Sequence, residues 1–250
     1  MKWEKENSYL NPEYLSDIEL YYTPEVNGDS LELTGDEFKH ITRVMRHSVG
    51  DTLHVTDGAG NYFESRIIEI NKSSVIASIQ NRKKYNNKFE NIYFCFPRLK
   101  SNNRFEFEIE KSIELGITNF IIINTERTIP RGEKLDRWNK ISLAAIKQSL
   151  RTHLPKIEYM NSIEKLNSLE GEKIIMDQKG DGTVIDYLND YRKEFSDKKF
   201  YFIFGPEGGL SQNEIAKVQN NRKLTLTKNR LRAETAVIST ATAISLILNP

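Results

Sequence analysis

The sequence predicts an α/β protein in which a small antiparallel β-domain precedes a larger domain built on a parallel sheet. Short β-prone runs separated by turn residues fill the first third of the chain, a spacing typical of a small barrel or sandwich. From residue 92 onward, buried-strand runs alternate with candidate helices, which favours a parallel sheet with helices on its faces. The polar, basic stretch NRKKYNNKFEN (81–91) between them is typical of a linker. We therefore expect an extension over residues 1–17, one domain over 18–86 and another over 87–250.

The composition excludes several functional classes. The 36 basic and 35 acidic side chains give a formal net charge of +1, so overall charge does not indicate a nucleic-acid partner. Cys95 is the only cysteine, which excludes an intramolecular disulfide and a paired-cysteine metal or redox site. The four histidines lack the spacing of metal ligands, so we expect no metal. We find no signal-like segment and no run of membrane-spanning length, and expect a soluble, cytoplasmic protein without a membrane partner.

In the first domain, one predicted helix interrupts the β-prone runs. Thr34 and Glu37 have the S/T-x-x-E spacing of a capping box, and apolar residues follow at helical spacing. The apolar face is expected to hold Phe38, Ile41, Val44 and Met45. The strand runs are LYYTPEV, SLELT, DTLHVTD, YFESRIIEI and SVIASIQ.

In the second domain, each buried-strand run is expected to be followed by a helix of ten or more residues. Residues 104–116 alternate like a strand, but they place Phe105, Ile109 and Ile113 at i, i+4 and i+8 and stop at Gly116. That length and terminal glycine favour a helix. The strand runs are IYFCF (92–96), FIII (120–123), KIIM (173–176), FYFIF (200–204) and LTL (224–226).

Two further helices are predicted in this domain. Residues 135–150 show helical spacing, with one face formed by Trp138, Ile141, Ala145 and Gln148. The last helix, over residues 234–248, is rich in Ala, Thr and Ser, whose small side chains permit another backbone to come close. Two interpretations remain open for it: packing within the core, or a tight helix pair across a dimer axis.

The stretch GPEGG (205–209) follows a predicted strand and precedes a predicted helix. Ser211 and Glu214 have capping-box spacing, so free backbone N–H groups are expected to face a ligand at this helix start. The loop matches neither G-x-G-x-x-G nor a Walker loop, and Glu207 would repel a phosphate. The loop is therefore either an ordinary left-handed turn or a site for a ligand other than a nucleotide phosphate.

Basic side chains cluster in five segments, and together they predict an RNA partner, because neutralisation of phosphates dominates nucleic-acid affinity. Any one cluster is more often a solvated surface. The segments are 40–47, 82–84, 98–104, 151–156 and 228–232.

Several ordered motifs give the chain a family resemblance. They include H-x-x-R-V-M-R-x-x-x-G-D from His40, E-K-S-I-E-L-G from Glu110, Q-S-x-R-x-x-L-P from Gln148, G-P-E-G-G-L-S-x-x-E from Gly205 and L-R-x-E-T-A from Leu231. With them, the chain resembles the bacterial 16S ribosomal RNA uridine N-methyltransferases called RsmE, in the SPOUT superfamily. The resemblance implies an N-terminal PUA-like small β-barrel and a C-terminal SPOUT α/β domain with a parallel sheet and a trefoil knot. It also implies S-adenosylmethionine as methyl donor, a 16S rRNA or small-subunit substrate, and a homodimer packed through the knot helices.

The resemblance further implies a donor site made of three loops, at residues 176–180, 205–210 and 224–235. Backbone groups and glycines can bind adenine and ribose, and a sulfonium donor needs no phosphate cradle, so Glu207 is compatible with this site. The implied donor-binding residues are Met176, Gly205, Pro206, Glu207, Gly208, Gly209, Leu210, Leu226, Leu231 and Thr235.

The implied reaction is methylation of N-3 of a uridine in 16S ribosomal RNA. We expect Arg232 to stabilise negative charge on uracil and Glu234 to accept the N-3 proton or orient groups, the alternative being a structural ion pair between the two. Proposed RNA contacts are Arg43, Arg46, Arg127 and Arg151. The chain departs from the family pattern at Lys147, Thr227, Asn229 and Arg230. Two other functions remain open: ribose 2′-O-methylation, and RNA binding without catalysis.

Overall fold

The computed structural model describes residues 18–129 and 132–248, so the predicted extension lies outside the described residues. The described chain divides into two compact units. The first contains residues 18–86 and the later segment 146–153, and the second contains residues 87–145 and 154–248. The segment 146–153 thus groups with the first unit, although it lies far along the chain.

The first unit is a six-stranded sheet of order β1-β4-β5-β6-β3-β2, in which every pair is antiparallel except β1 with β4. Thr23, between the edge strands β1 and β2, bonds to the strand next to each edge: its N–H donates to the Thr56 carbonyl on β4 and its hydroxyl to the Glu32 carbonyl on β3. The predicted small barrel is therefore confirmed. Its strands are β1 (Leu20–Tyr22), β2 (Val26–Asn27), β3 (Ser30–Thr34), β4 (Thr52–Thr56), β5 (Asn61–Ile70) and β6 (Ser74–Lys84).

Alternation along these strands fills the barrel with apolar side chains, because successive residues of a strand face opposite sides. The core residues are Tyr21, Leu31, Leu33, Ile41, Leu53, Val55, Phe63, Ile67, Val75 and Ala77.

The predicted linker begins too early. Residues 81–84 continue β6 and pair with β5. The solvent-exposed end of a strand and a linker have the same polar composition, so the sequence alone does not separate them.

The predicted helix of this unit is α1 (Gly35–Lys39), which continues as a π-helix over His40–Val44. The wider π-turn changes the angular spacing of the side chains, so Ile41 is buried but Val44 is 67% exposed and Met45 is also exposed. The apolar face predicted beyond Ile41 is therefore wrong. The predicted capping box is also wrong, because the Thr34 side chain makes no capping bond.

The second unit is a seven-stranded sheet of order β11-β13-β10-β12-β7-β8-β9, and all its pairs are parallel, as predicted. All five predicted runs form strands. The sequence missed β9, a half-exposed edge strand, and β11, which has two residues. The strands are β7 (Ile92–Pro97), β8 (Asn119–Ile123), β9 (Lys156–Met160), β10 (Glu172–Met176), β11 (Gly182–Thr183), β12 (Phe200–Ile203) and β13 (Asn221–Thr225).

In the described part of the second unit, five α-helices lie between and after these strands. The ambiguous segment is a helix as predicted, with Phe105, Ile109 and Ile113 buried and Gly116 at φ +104°. The prediction of ten or more residues is wrong for two helices, which have seven and six. The helices are α2 (Asn102–Glu114), α3 (Leu135–Gln148), α4 (Val184–Asp190), α5 (Gln212–Lys217) and α6 (Ala233–Leu248).

The buried face of α3 differs from the predicted one. Trp138 and Ala145 are buried, but Ile141 is only half-buried and Gln148 is exposed. The small Ser142 is buried in their place, and its hydroxyl donates to the Trp138 carbonyl within the helix. Because serine is polar, nothing in the sequence indicated that Ser142 is buried. The predicted buried face was therefore placed too far round the helix.

One connection of the second sheet determines the shape of its functional edge. β10 and β11 follow each other in the chain, yet β13 lies between them in the sheet. The short connection 177–181 must therefore cross β13. Gly180 makes this crossing close, since a Cβ there would lie 2.4 Å from the Leu224 backbone carbon.

Candidate functional site

Three loops meet at one edge of the second sheet. β13, β10 and β12 are neighbours and parallel, so the loops that follow their carboxyl ends, near residues 177–181, 204–211 and 226–232, lie side by side. The carboxyl edge of a parallel sheet is where α/β folds bind ligands. Every predicted donor-binding residue lies on these loops, at the end of β10 or in the first turn of α6.

The loop after β12 is folded tightly on its own backbone. A Cβ at Gly205 would lie 2.8 Å from the Leu210 nitrogen and 2.9 Å from the Gly209 carbonyl carbon. Gly209 has φ +69°, and its N–H donates to the Pro206 carbonyl at 2.8 Å. The loop therefore contains the left-handed turn that the sequence allowed, and its shape requires glycine.

Two side chains hold this loop from neighbouring segments. The Glu207 carboxylate accepts a hydrogen bond from the Lys100 N–H at 3.0 Å, which ties the loop to the segment after β7. The Arg127 guanidinium donates to the Gly208 carbonyl, and a Cβ at Gly208 would lie 3.1 Å from the Arg127 Cδ. Arg127, predicted as an RNA contact, is thus also a support of the glycine loop.

The capping box at the start of α5 is confirmed. Ser211 Oγ accepts from the Glu214 N–H at 3.1 Å, and Glu214 Oε2 accepts from the Ser211 N–H at 2.8 Å. Glu214 is 2% exposed, and its Oε1 accepts from the Glu126 N–H at 2.7 Å. Hydrogen bonds from Ser211 and Asn213 lower the pKa of the Glu126 carboxyl. Both oxygens of the Glu214 carboxylate are therefore satisfied by backbone N–H groups, one local and one from a distant segment.

The loops that follow β10 and β13 are held by hydrogen bonds from backbone N–H groups. The Asp177 N–H donates to the Leu224 carbonyl at 2.9 Å and the Asp181 N–H to the Lys223 carbonyl at 3.1 Å. After β13, the Asn229 N–H donates to Thr227 Oγ1 at 2.9 Å, which forms a local turn at two of the positions that depart from the family pattern. Leu226 and Leu231 are half-buried beside this turn.

Arg232 and Glu234 flank the start of α6 and have different surroundings. Arg232 is exposed, and its carbonyl accepts from the Ala236 N–H at 3.0 Å. Glu234 is 9% exposed and lies 3.6 Å from Arg104 Nε through Oε1. Its Oε2 is buried without a hydrogen-bond partner among the described residues. Within the described ranges the predicted alternative, an Arg232–Glu234 ion pair, is not formed, and Arg104 takes that place.

Glu108 is a residue that the sequence analysis missed. It lies in the middle of α2, is 1% exposed, and neither carboxylate oxygen has a hydrogen-bond partner in the described part of the chain. Burial raises the pKa of the Glu108 carboxyl well above its ordinary value of 4.5, and the charges of Glu234 and Glu207 raise it further. The signal that could have revealed it is its position three residues after the buried Phe105, on the same helix face.

The predicted RNA contacts of the first unit come from two parts of the chain. Arg43 lies in the π-helix and Arg46 follows it at φ +58°, and both are exposed. Arg151 belongs to the segment 146–153, which groups with this unit. Lys147 of the same segment donates to Glu37 Oε1 at 2.7 Å, so this departure from the family pattern forms an ion pair within the unit.

The described residues contain no group of three or more His, Cys, Asp or Glu side chains that could hold a metal ion. Within the same ranges, no helix combines the length and apolar character needed to cross a bilayer.

A small barrel is followed by a parallel α/β domain with three neighbouring loops at the carboxyl edge of its sheet, which defines a two-domain protein with a ligand site at that edge. A family model described as RNA methyltransferase domain matches residues 86–245, and a second, described as RNA methyltransferase PUA domain, matches residues 33–80. The chain belongs to the RNA methyltransferase family, and the predicted resemblance to RsmE is confirmed.

Relatives and solved structures agree over nearly the whole chain. A Bacillus subtilis protein named Ribosomal RNA small subunit methyltransferase E is 24% identical over 241 residues, covering 91% of this chain and 94% of its own. The Rickettsia conorii protein of that name is 26% identical over 231 residues, covering 87% and 90%. The Neisseria gonorrhoeae protein of that name, solved bound to S-adenosyl methionine, has a TM-score of 0.80 and 26% identity, covering 92% and 97%.

Proposed function

We propose that this protein transfers a methyl group from S-adenosylmethionine to N-3 of a uridine in 16S ribosomal RNA of the small subunit. The observation that carries the proposal is the set of three backbone-built loops on neighbouring parallel strands, in a chain of the RNA methyltransferase family. The names of the relatives and the donor in the Neisseria gonorrhoeae structure support the choice of rRNA and of S-adenosylmethionine.

The residues present fit this donor. The site contains glycines at positions where a Cβ would strike the backbone, as at Gly180 and Gly205, so main-chain groups rather than side chains shape it. Main-chain N–H and carbonyl groups suit the edges of adenine and the ribose hydroxyls. When bound, S-adenosylmethionine supplies an electrophilic methyl group. The residues that would hold it are Met176, Gly205, Pro206, Glu207, Gly208, Gly209, Leu210, Leu226, Leu231 and Thr235.

The protein must also remove the N-3 proton from an unpaired or flipped uridine. We assign this proton to Glu234; in support, its carboxylate is nearly buried in the first turn of α6 and Oε2 has no partner among the described residues. The exposed Arg232, at the entrance to the same helix, is assigned to the uracil carbonyl oxygens, where a guanidinium stabilises the charge that develops as the proton leaves.

RNA phosphates are assigned to Arg43, Arg46 and Arg151 of the first unit, residues 18–86 with 146–153, and to Arg127 of the second. Arg127 is exposed and has five N–H donors, more than its bond to Gly208 requires.

We also propose a trefoil knot, a homodimer packed through the knot helices, and a cytoplasmic location with the ribosome. The crossing of β13 by the connection 177–181 supports threading of the C-terminal segment. Leu246, on the last turns of α6, is 71% exposed, which suits burial against a second copy.

Primer extension tests the reaction, because a methyl group on N-3 blocks base pairing and stops reverse transcriptase. Small subunits from cells lacking the gene should show no such stop, and incubation with the purified protein and S-adenosylmethionine should restore it. A stop that persists in the deletion strain contradicts the proposal. A methyl group found on a ribose would indicate 2′-O-methylation, and no calorimetric binding of S-adenosylhomocysteine would indicate an RNA-binding relative without catalysis.

A further inference from the structure

A polar stripe runs along one face of α2, which packs against α6. Arg104, Glu108 and Ser112 lie four residues apart, so they share a face. Both Glu108 oxygens and the Ser112 hydroxyl are buried and lack hydrogen-bond partners in the described ranges, as does Glu234 Oε2 on α6. Unpaired buried polar atoms are rare in native proteins, so four of them between two packed helices require an explanation.

The surroundings of Glu108 determine its protonation. Burial is the main cause that raises the pKa of the Glu108 carboxyl, because it disfavours the charged form. The negative charges of Glu234, at the start of α6, and of Glu207, in the glycine loop, raise the pKa further. Arg104, one turn earlier on α2, is engaged with Glu234 Oε1 at 3.6 Å. Burial and these two negative charges all favour the neutral form of the Glu108 carboxyl, which has one O–H to donate.

We propose that Glu108 is a positioning residue for Glu234, to which its protonated carboxyl donates a hydrogen bond at the buried Oε2. The inference rests on the proposed function, in which Glu234 accepts the N-3 proton of uracil. Arg104 then holds one oxygen of the Glu234 carboxylate and Glu108 holds the other. A carboxylate fixed at both oxygens keeps one orientation toward the substrate.

Two substitutions separate this role from a charged or purely structural one. Glu108→Gln keeps a donor of similar shape, so kcat should stay within about threefold of the parent value and the pH profile should be unchanged. Glu108→Met keeps the volume but removes the donor. Its kcat should fall about tenfold or more while KM for RNA stays near the parent value, because the Glu234 carboxylate loses one of the two contacts that orient it.

Three readouts make the result decisive. Glu108→Met should bind S-adenosylhomocysteine like the parent and should unfold at no lower temperature, which excludes general disruption. A parent-like kcat in Glu108→Met overturns the proposal, and so does a Glu108→Gln protein as impaired as Glu108→Met.

If the parent protein itself methylates no RNA, the proposed function fails, and difference infrared spectroscopy decides the role of Glu108 without activity. A protonated carboxyl band that is lost in Glu108→Gln and shifted in Glu234→Gln supports the hydrogen bond. Absence of the band, or a band that Glu234→Gln leaves in place, overturns it.

Discussion

Two buried glutamates in the second unit differ in what their carboxylates contact. Glu214, at the start of α5, is 2% exposed and accepts a backbone N–H at each oxygen. Glu108, in the middle of α2, is 1% exposed and accepts none among the described residues. A helix start offers free N–H groups, but the backbone in the middle of a helix is already bonded. A buried glutamate is therefore structural at the first position and requires a functional partner at the second.

The largest expected effect comes from substituting Glu234, the proposed hydrogen-bond partner of Glu108. Glu234→Gln removes the proton acceptor while preserving shape, so kcat for rRNA methylation should fall about a thousandfold, or about 4 kcal/mol of transition-state stabilisation. Single-turnover methylation of small subunits measures it. The melting temperature should change little, because a glutamine still accepts from Arg104.

The matched control is Glu110→Gln, on the exposed side of α2, where the carboxylate pairs with Lys111 at 2.8 Å. Its turnover should equal that of the parent. If Glu234→Gln keeps at least half of the parent kcat, Glu234 is not the proton acceptor. The unpaired polar atoms of Glu108, Ser112 and Glu234 then lose their functional explanation.

The second effect concerns Glu214 and is one of stability. Glu214→Ala leaves the Glu126 and Ser211 N–H groups without their acceptor, so the free energy of unfolding should fall by about 3 kcal/mol. Urea denaturation monitored by tryptophan fluorescence measures the change in midpoint, since Trp138 is buried in the second unit.

Ser211→Ala serves as the comparison, because it removes only the Ser211 hydroxyl from the capping box and should cost about 1 kcal/mol. A loss for Glu214→Ala no larger than that for Ser211→Ala would show that the bond to Glu126 contributes nothing. The contrast between a satisfied and an unsatisfied glutamate would then be weaker than the geometry indicates.

The same contrast shows what the sequence could predict. The capping box spans four residues, so the bonds between Ser211 and Glu214 follow from local spacing. The third bond joins Glu214 to Glu126, 88 residues earlier, and depends on β8 and α5 meeting in the fold. The strand runs and their assembly into a parallel sheet were predictable, because burial on both faces leaves continuous apolar runs.

Other features had no local signal. The π-helix that exposes Val44 and Met45 follows a helix of ordinary α periodicity, so the sequence placed both side chains inside. The loop residues of the donor site could be named from the resemblance, but the supports of the glycine loop, Lys100 and Arg127, come from the segments that follow β7 and β8. Side chains that act through tertiary contacts, as Glu108 does, are the part that spacing alone does not reveal.

The smallest expected effect tests the protonation of Glu108 through stability. Its carboxyl has a pKa well above 4.5 in the folded state, so above pH 4.5 the folded protein binds a proton that the unfolded chain has released. Stability from this group is thus fully present below pH 4.5 and declines as pH rises toward the folded pKa. Glu108→Met removes this dependence, and other titrating groups cancel when the two proteins are compared. The difference in unfolding free energy, Glu108→Met minus parent, should therefore grow with pH in urea titrations at pH 5, 6 and 7. A difference that stays constant would mean that Glu108 is ionised in the folded protein. Glu108 would then carry a buried negative charge without the backbone hydrogen bonds that Glu214 accepts.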